Sequence, residues 1–170
     1  MAANKMPDIE ILKSRFYICE ENKLRHKTSI GGVKIGSEVG HKTNAGYRRF
    51  LLNGVKYQNH RVIWFMRNGI DPIKYEIDHI NGDKSDDSEE NHRISSRAEN
   101  GRNRKLNSNN ALGIKGVYWC NRDKKFKSFI KVDGKKINLG SYDDSESASK
   151  AYKAAALKYF GEFVRSYDNE

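Results

Sequence analysis

The sequence predicts an α+β chain built as two small modules in series, and three observations carry that expectation. One pair of strand-like runs meets at Asn53-Gly54, a second pair meets at Asp133-Gly134, and a polar, asparagine-rich stretch from Leu106 to Ala111 lies between the halves. With 170 residues in all, each module has a thin core. The expected boundaries are a first module over 1–106, with a β-rich lead-in over 1–58 and a core over 59–106, then a linker over 107–112 and a second module over 113–165.

In the first module, Tyr47 to Leu52 and Val55 to Gln58 read as strands, and Asn53-Gly54 suits the tight type I′ turn between them. His60 to Asn68 reads as a short helix that Gly69 can cap and that Pro72 prevents from continuing. Tyr75 to Ile80 is extended and runs into an acidic loop from Asn81 to Glu90, read as a solvated turn. Ser96 and Glu99 have capping-box spacing, so a helix is expected to begin there and to carry Asn100, Asn103 and Arg104.

In the second module, three short antiparallel strands precede one helix. The Asp133-Gly134 turn fixes the register: Val132 faces Lys135, Lys131 faces Lys136, and Ile130 faces Ile137. Phe126, Ser128, Ile130, Ile137 and Leu139 then share the inner face, while Lys125, Lys127, Phe129, Lys131, Lys136 and Asn138 point outward. The helix starts near Asp144, turns Ala148, Ala151, Tyr152, Ala155 and Tyr159 to one side, and stops at Gly161.

Lysine and arginine number 32 against 22 aspartates and glutamates, a net charge of +10 that favours a polyanionic partner. The excess is shared: the residues before Ser108 carry 20 basic and 14 acidic side chains, and the rest carry 12 and 8. Cys19 and Cys120 stand alone, without the paired spacing of a zinc knuckle or a redox site. No apolar run has the length of a membrane span and no signal-peptide pattern opens the chain, so a cytoplasmic protein is expected; a monomer is expected as well.

Asp78-His79 places a carboxylate beside an imidazole where a strand enters a loop, with asparagines following at 91, 100 and 103. Phosphodiester hydrolysis asks for such a set. Histidine can activate water near neutral pH, and oxygen ligands from Asp78 and an asparagine suit a hard cation. Arg93, Arg97, Arg102, Arg104 and Lys105 cluster after the loop and could hold phosphates on either side of a cut.

The run HRVIWFMRNGIDPIKYEIDHINGDKSDDSEENHRISSRAENGRNR, His60 to Arg104, resembles the HNH endonucleases of phages and mobile introns. That resemblance implies a ββα-metal fold in which two strands and a helix grip one divalent ion. By position, His79 would be the general base, Asp78 and Asn100 the metal ligands, and Asn91 the residue bracing the loop that orients His79. Magnesium is the expected ion, with manganese the alternative. His92 departs from the pattern, which usually has an apolar residue there; it reads either as a partly exposed substitution, the bland reading that is preferred, or as an extra polar group near the metal. His60 reads as a structural hydrogen-bonding residue at a helix start.

The run GIKGVYWCNRDKKFKSFIKVDGKKINLGSYDDSESASKAYKAAALKYFG, Gly113 to Gly161, resembles the APETALA-type domain of plant ethylene-response factors. The resemblance implies DNA contact by Lys115, Tyr118, Lys131, Lys136 and Asn138, with Trp119 and Arg122 in the adjoining loop. Lysines replace several of that family's arginines and cannot form the planar guanidinium fork, which weakens strict reading of guanines. The two resemblances together imply a phage homing endonuclease acting on double-stranded DNA. The alternatives are a non-catalytic DNA-binding regulator on a degenerate HNH scaffold and an RNA-binding accessory protein.

Overall fold

A computed structural model describes residues 4–29, 31–103, 106 and 110–164. The chain divides into two compact units, Met1–Asn100 and Gly101–Glu170. This division falls ahead of the 107–112 stretch expected as a linker, of which 107–109 lie outside the described residues, as do Arg104 and Lys105.

The first unit opens on a short helix, ahead of five strands, in the stretch over 1–58 expected to be β-rich. Helix α1 (Ile9–Arg15) is capped by Asp8, whose side chain accepts from the Glu10 N–H, a local signal that the short length of the helix obscured. A two-stranded sheet follows, β1 (Phe16–Ile18) with β2 (Leu24–His26), then a three-stranded sheet of β3 (His41–Lys42), β4 (Arg48–Leu52) and β5 (Val55–Gln58) in sequence order. Asn53 and Gly54 both have positive φ, 50° and 78°, as the type I′ turn between β4 and β5 requires.

Helix α2 (Asn59–Asn68) lays Val62 and Ile63 into a core shared with Leu12, Phe16, Leu24, Val39, Phe50, Leu52 and Tyr57. Gly69 ends it in the left-handed region. Arg61 then donates to the carbonyls of Pro72 and Tyr75, at 2.6 and 2.9 Å, and so ties α2 to the segment entering the next strand. That strand, β6 (Glu76–His79), pairs antiparallel with β7 (His92–Ser95), and α3 (Arg97–Arg102) follows at once. The capping box forms as the spacing predicts: Glu99 Oε2 accepts from the Ser96 N–H, and Ser96 Oγ from the Glu99 N–H. The helix ends at Arg102, before Asn103.

In the second unit β8 (Val117–Cys120), β9 (Lys125–Val132) and β10 (Lys135–Tyr142) form an antiparallel sheet in the order β10, β9, β8, backed by α4 (Ser145–Phe160) and a 3-10 turn, Gly161–Phe163. The β9/β10 register is the one that Asp133-Gly134 dictates, with Lys131 opposite Lys136. A register shift between Asn138 and Gly140 makes a bulge at Leu139 that the alternation does not foretell. Asp144 caps α4, accepting from the Ser147 N–H.

Ile130 packs on Tyr152, Ala155 and Ala156, with Ile137 and Leu139 beside them. Tyr159, expected on that face, stays 41% exposed beside the Lys158 ammonium, and Phe160 packs inward instead. No helix among the described residues is long and apolar enough to cross a membrane.

Candidate active site

The site is organised by the β6/β7 hairpin. Its register sets Asp78 opposite Arg93 and His79 opposite His92. Side chains directly opposite one another share a face of the ladder, so two side-chain pairs are fixed by backbone pairing alone.

On the first pair, Arg93 donates from Nε and Nη2 to Asp78 Oδ2, at 3.0 and 2.7 Å, with both side chains largely buried. Two residues back along β6, Glu76 accepts a hydrogen bond from Asn100 Nδ2 through Oε2. That contact draws α3 onto the strand and leaves Asn100 Oδ1 as its oxygen donor. The Glu76 tether was not foreseen; counting two residues back from Asp78 along the strand face would have indicated it.

The second pair holds the main departures from expectation. His92 is buried, 7% exposed, and packs its ring on His79 at a centroid distance of 4.9 Å. It is not a partly exposed substitution, because a residue paired with His79 on an inward face cannot reach solvent. The acidic loop is not wholly solvated either. Asp83 and Asp86 do cap local turns, accepting from the N–H groups of Ser85 and Ser88. Asp87 turns inward, to 3.4 Å from His79 Nε2 and 3.3 Å from His92 Nε2. Arg67, from α2, donates to the Asp87 carbonyl at 2.8 Å and fixes the backbone there. Nothing in the sequence separates Asp87 from its acidic neighbours.

Burial pushes the Asp87 carboxyl up, but hydrogen bonds from His79 and His92 outweigh it and hold the group at about 2. His60 completes the cluster from α2, its ring 5.2 Å from that of His79. Burial first, and the His79 imidazole second, press His60 well below the usual histidine range, so it stays neutral. The Tyr47 ring lies 4.9 Å from His60 and 6.0 Å from His79; burial raises its phenol, with Asp78 and Glu76 adding to the shift.

Asn91 spans the loop between the strands. Its Oδ1 accepts from the Asn81 N–H at 2.9 Å and its Nδ2 donates to the Asp86 carbonyl at 2.8 Å. A cleft lined by Lys23, Lys42, Arg48 and Lys84, among others, also reaches His60 and Asp87. These four basic residues come from separate segments of the chain, which is why sequence spacing gave no sign of them.

Two donor sets therefore exist. Asp78 and Asn100 offer oxygen, and His79, Asp87 and His92 form a buried group able to hold a metal ion through two nitrogens and an oxygen. The HNH endonuclease family matches residues 57–102, a span that contains both sets. Protein 3.8 of Escherichia phage T7 is 31% identical over 108 residues, covering 64% of this chain and 88% of that protein. The chain belongs to the family of phage T7 Protein 3.8 and carries an HNH endonuclease domain. An AP2-like ethylene-responsive transcription factor of Arabidopsis thaliana is 61% identical over 28 residues, which are 16% of this chain and 6% of that protein. No solved structure matches the chain.

The remaining candidate residues in this HNH protein are more scattered. Arg97 is exposed at the start of α3. Arg102 is engaged within the second unit, stacked on Phe160 at 4.6 Å and 3.9 Å from Asp133, while its carbonyl accepts from Lys115 Nζ. On the sheet, Lys131, Lys136, Asn138 and Tyr118 are exposed on the outer face. Lys136 Nζ sits 4.0 Å above the Phe129 ring and 5.3 Å from Tyr118. Trp119 packs on Phe126, at 4.8 Å, and Arg122 is paired with Asp123.

Proposed function

We propose that this protein is a divalent-metal-dependent DNA endonuclease of the phage homing type, cutting double-stranded DNA in the host cytoplasm as a monomer. The observation that carries the reading is the β6-β7-α3 unit, in which one strand supplies Asp78 and His79 and, through Glu76, also holds Asn100.

Asp78 and Asn100 are the ligands of a magnesium ion, with manganese able to substitute. Their carboxylate and amide oxygens are the hard donors that such an ion prefers, so the donor set fits it. When bound, the ion supplies positive charge against the scissile phosphate and the leaving oxygen. Arg93 shares the Asp78 carboxylate and limits its rotation.

His79 is the general base. Asp87 and His92 both lie against Nε2, so Nδ1 is the nitrogen that takes the proton from the attacking water. Asp87 stands behind the imidazole as a carboxylate stands behind the histidine of a hydrolytic triad, favouring the tautomer with its proton on Nε2. Asn91 holds the loop that carries Asp87. Lys23, Lys42, Arg48 and Lys84 line the approach for phosphates, and Arg97, Arg102 and Arg104 are further candidate phosphate contacts.

Residues 113–165 form the DNA-binding module, joined through the linker at 107–112. Lys115, Tyr118, Trp119, Arg122, Lys131, Lys136 and Asn138 present its contacts, and the short similarity to a plant transcription factor supports this reading. The direct test is cleavage of the encoding phage's duplex DNA. Magnesium should support cutting and EDTA should stop it; equal cutting with and without EDTA would refute metal dependence.

Replacing both Lys131 and Lys136 by glutamine tests the sheet. The thermal midpoint should hardly move, because relief of cross-strand repulsion offsets loss of the cation–π contact with Phe129. DNA affinity should fall, and the slope of log affinity against log salt should flatten by about 1.8 if each lysine neutralises one phosphate. An unchanged slope would remove this face from the interface.

A further inference from the structure

We propose that His79 Nε2, Asp87 Oδ1 and His92 Nε2 form a tetrahedral site for a zinc-class ion, separate from the Asp78 and Asn100 pair, with one coordination position left open.

The geometry is a triangle of donors with sides of 3.3, 3.4 and 3.4 Å. Three ligands about 2.0–2.1 Å from one tetrahedral ion stand about 3.3–3.4 Å apart, whereas neighbouring ligands of an octahedral magnesium at the same distance stand about 2.9 Å apart. The observed spacing selects the tetrahedral ion. It is also longer than most hydrogen bonds, which run about 2.7–3.2 Å, so the two contacts to Asp87 are long ones that an ion can replace.

Donor chemistry agrees. Two imidazole nitrogens and one carboxylate oxygen suit zinc and its neighbours better than magnesium. All three side chains are more than nine-tenths buried. His92 Nδ1 has no partner among the described residues, so nothing on that side of the ring competes for its tautomer. Hydrogen bonds from Arg67 to the Asp87 carbonyl and from Asn91 across the loop hold the carboxylate in place before any ion arrives. The basic cleft reaches Asp87 and offers a route in.

Occupation has a consequence, which rests on the nuclease reading given above. A metal on Nε2 of a neutral imidazole forces the ring proton onto Nδ1, the nitrogen assigned as base. A zinc-class ion would therefore silence His79 while leaving the oxygen ligands for magnesium untouched.

Cobalt(II) titration of the full-length protein tests the site without needing cleavage. A tetrahedral cobalt ion gives a strong visible band and an octahedral one only a weak band. The wild type should show the strong band, with no near-ultraviolet thiolate charge transfer from Cys19 or Cys120, and zinc should abolish it stoichiometrically. Asp78→Ala should keep the band. His92→Leu and Asp87→Asn should each weaken cobalt binding by about tenfold or more, while circular dichroism reports that each is folded. A weak octahedral spectrum in the wild type, a thiolate band, or a strong band surviving in a folded His92→Leu or Asp87→Asn variant would overturn the proposal. Failure of the protein to cut DNA would count against the nuclease reading alone.

Discussion

His79→Ala is expected to slow DNA cleavage by roughly two to four orders of magnitude, the usual contribution of a general base, while changing DNA affinity little. The reason for the split is burial: His79 is 3% exposed, so its ring offers almost no surface with which to grip a phosphate. The variant should also lose some stability, roughly 1–3 kcal/mol, because Asp87 loses one of its two imidazole partners in a desolvated setting. Cleavage must therefore be compared well below the melting transition of the variant. Single-turnover rates and filter-binding constants on the same duplex separate the two effects. Parallel loss of binding and cutting would place His79 in the interface and remove it as the base.

Gly116→Ala is expected to unfold the second unit selectively. Gly116 has φ of +71°, and a Cβ there would lie 2.1 Å from Tyr152 Cδ2 and 2.6 Å from the Phe129 carbonyl oxygen. The Tyr152 ring cannot retreat freely, since it packs on Ile130 and the alanines of α4. The carbonyl belongs to the sheet itself, and the Phe129 N–H bonds back to Gly116 O at 2.8 Å. Left-handed backbone strain and overpacking together should cost roughly 2–5 kcal/mol. Calorimetry of the full chain should show the second unit's transition lowered by roughly 10 °C or more, with the HNH unit's transition in place. A shift of a degree or less would contradict the packing described.

Much of the fold was legible because its signals are local. The Asn53-Gly54 and Asp133-Gly134 turns need positive φ, the Ser96 and Glu99 pair caps its own helix, and Gly69 and Gly161 end theirs. The features without a local signal depend on contacts between distant segments. The Leu139 bulge has no marker in an alternating pattern, and Asp87 is one acid among several until Arg67 of α2 fixes its backbone. His92 could have been paired with His79 by assuming a hairpin between their strands, yet its burial follows from packing against His60 of α2 and His79, not from spacing. Glu76 likewise gains its part only when α3 folds back onto β6.

In the mechanism proposed above, Asp78 and Asn100 hold the ion that His79 works beside. Magnesium titration of cleavage by the wild type, Asp78→Ala and Asn100→Ala tests it most directly. Both variants should retain only residual cutting, with the half-saturating magnesium concentration raised about tenfold or more above that of the wild type. Titration curves with the same midpoint in all three proteins would contradict the assignment.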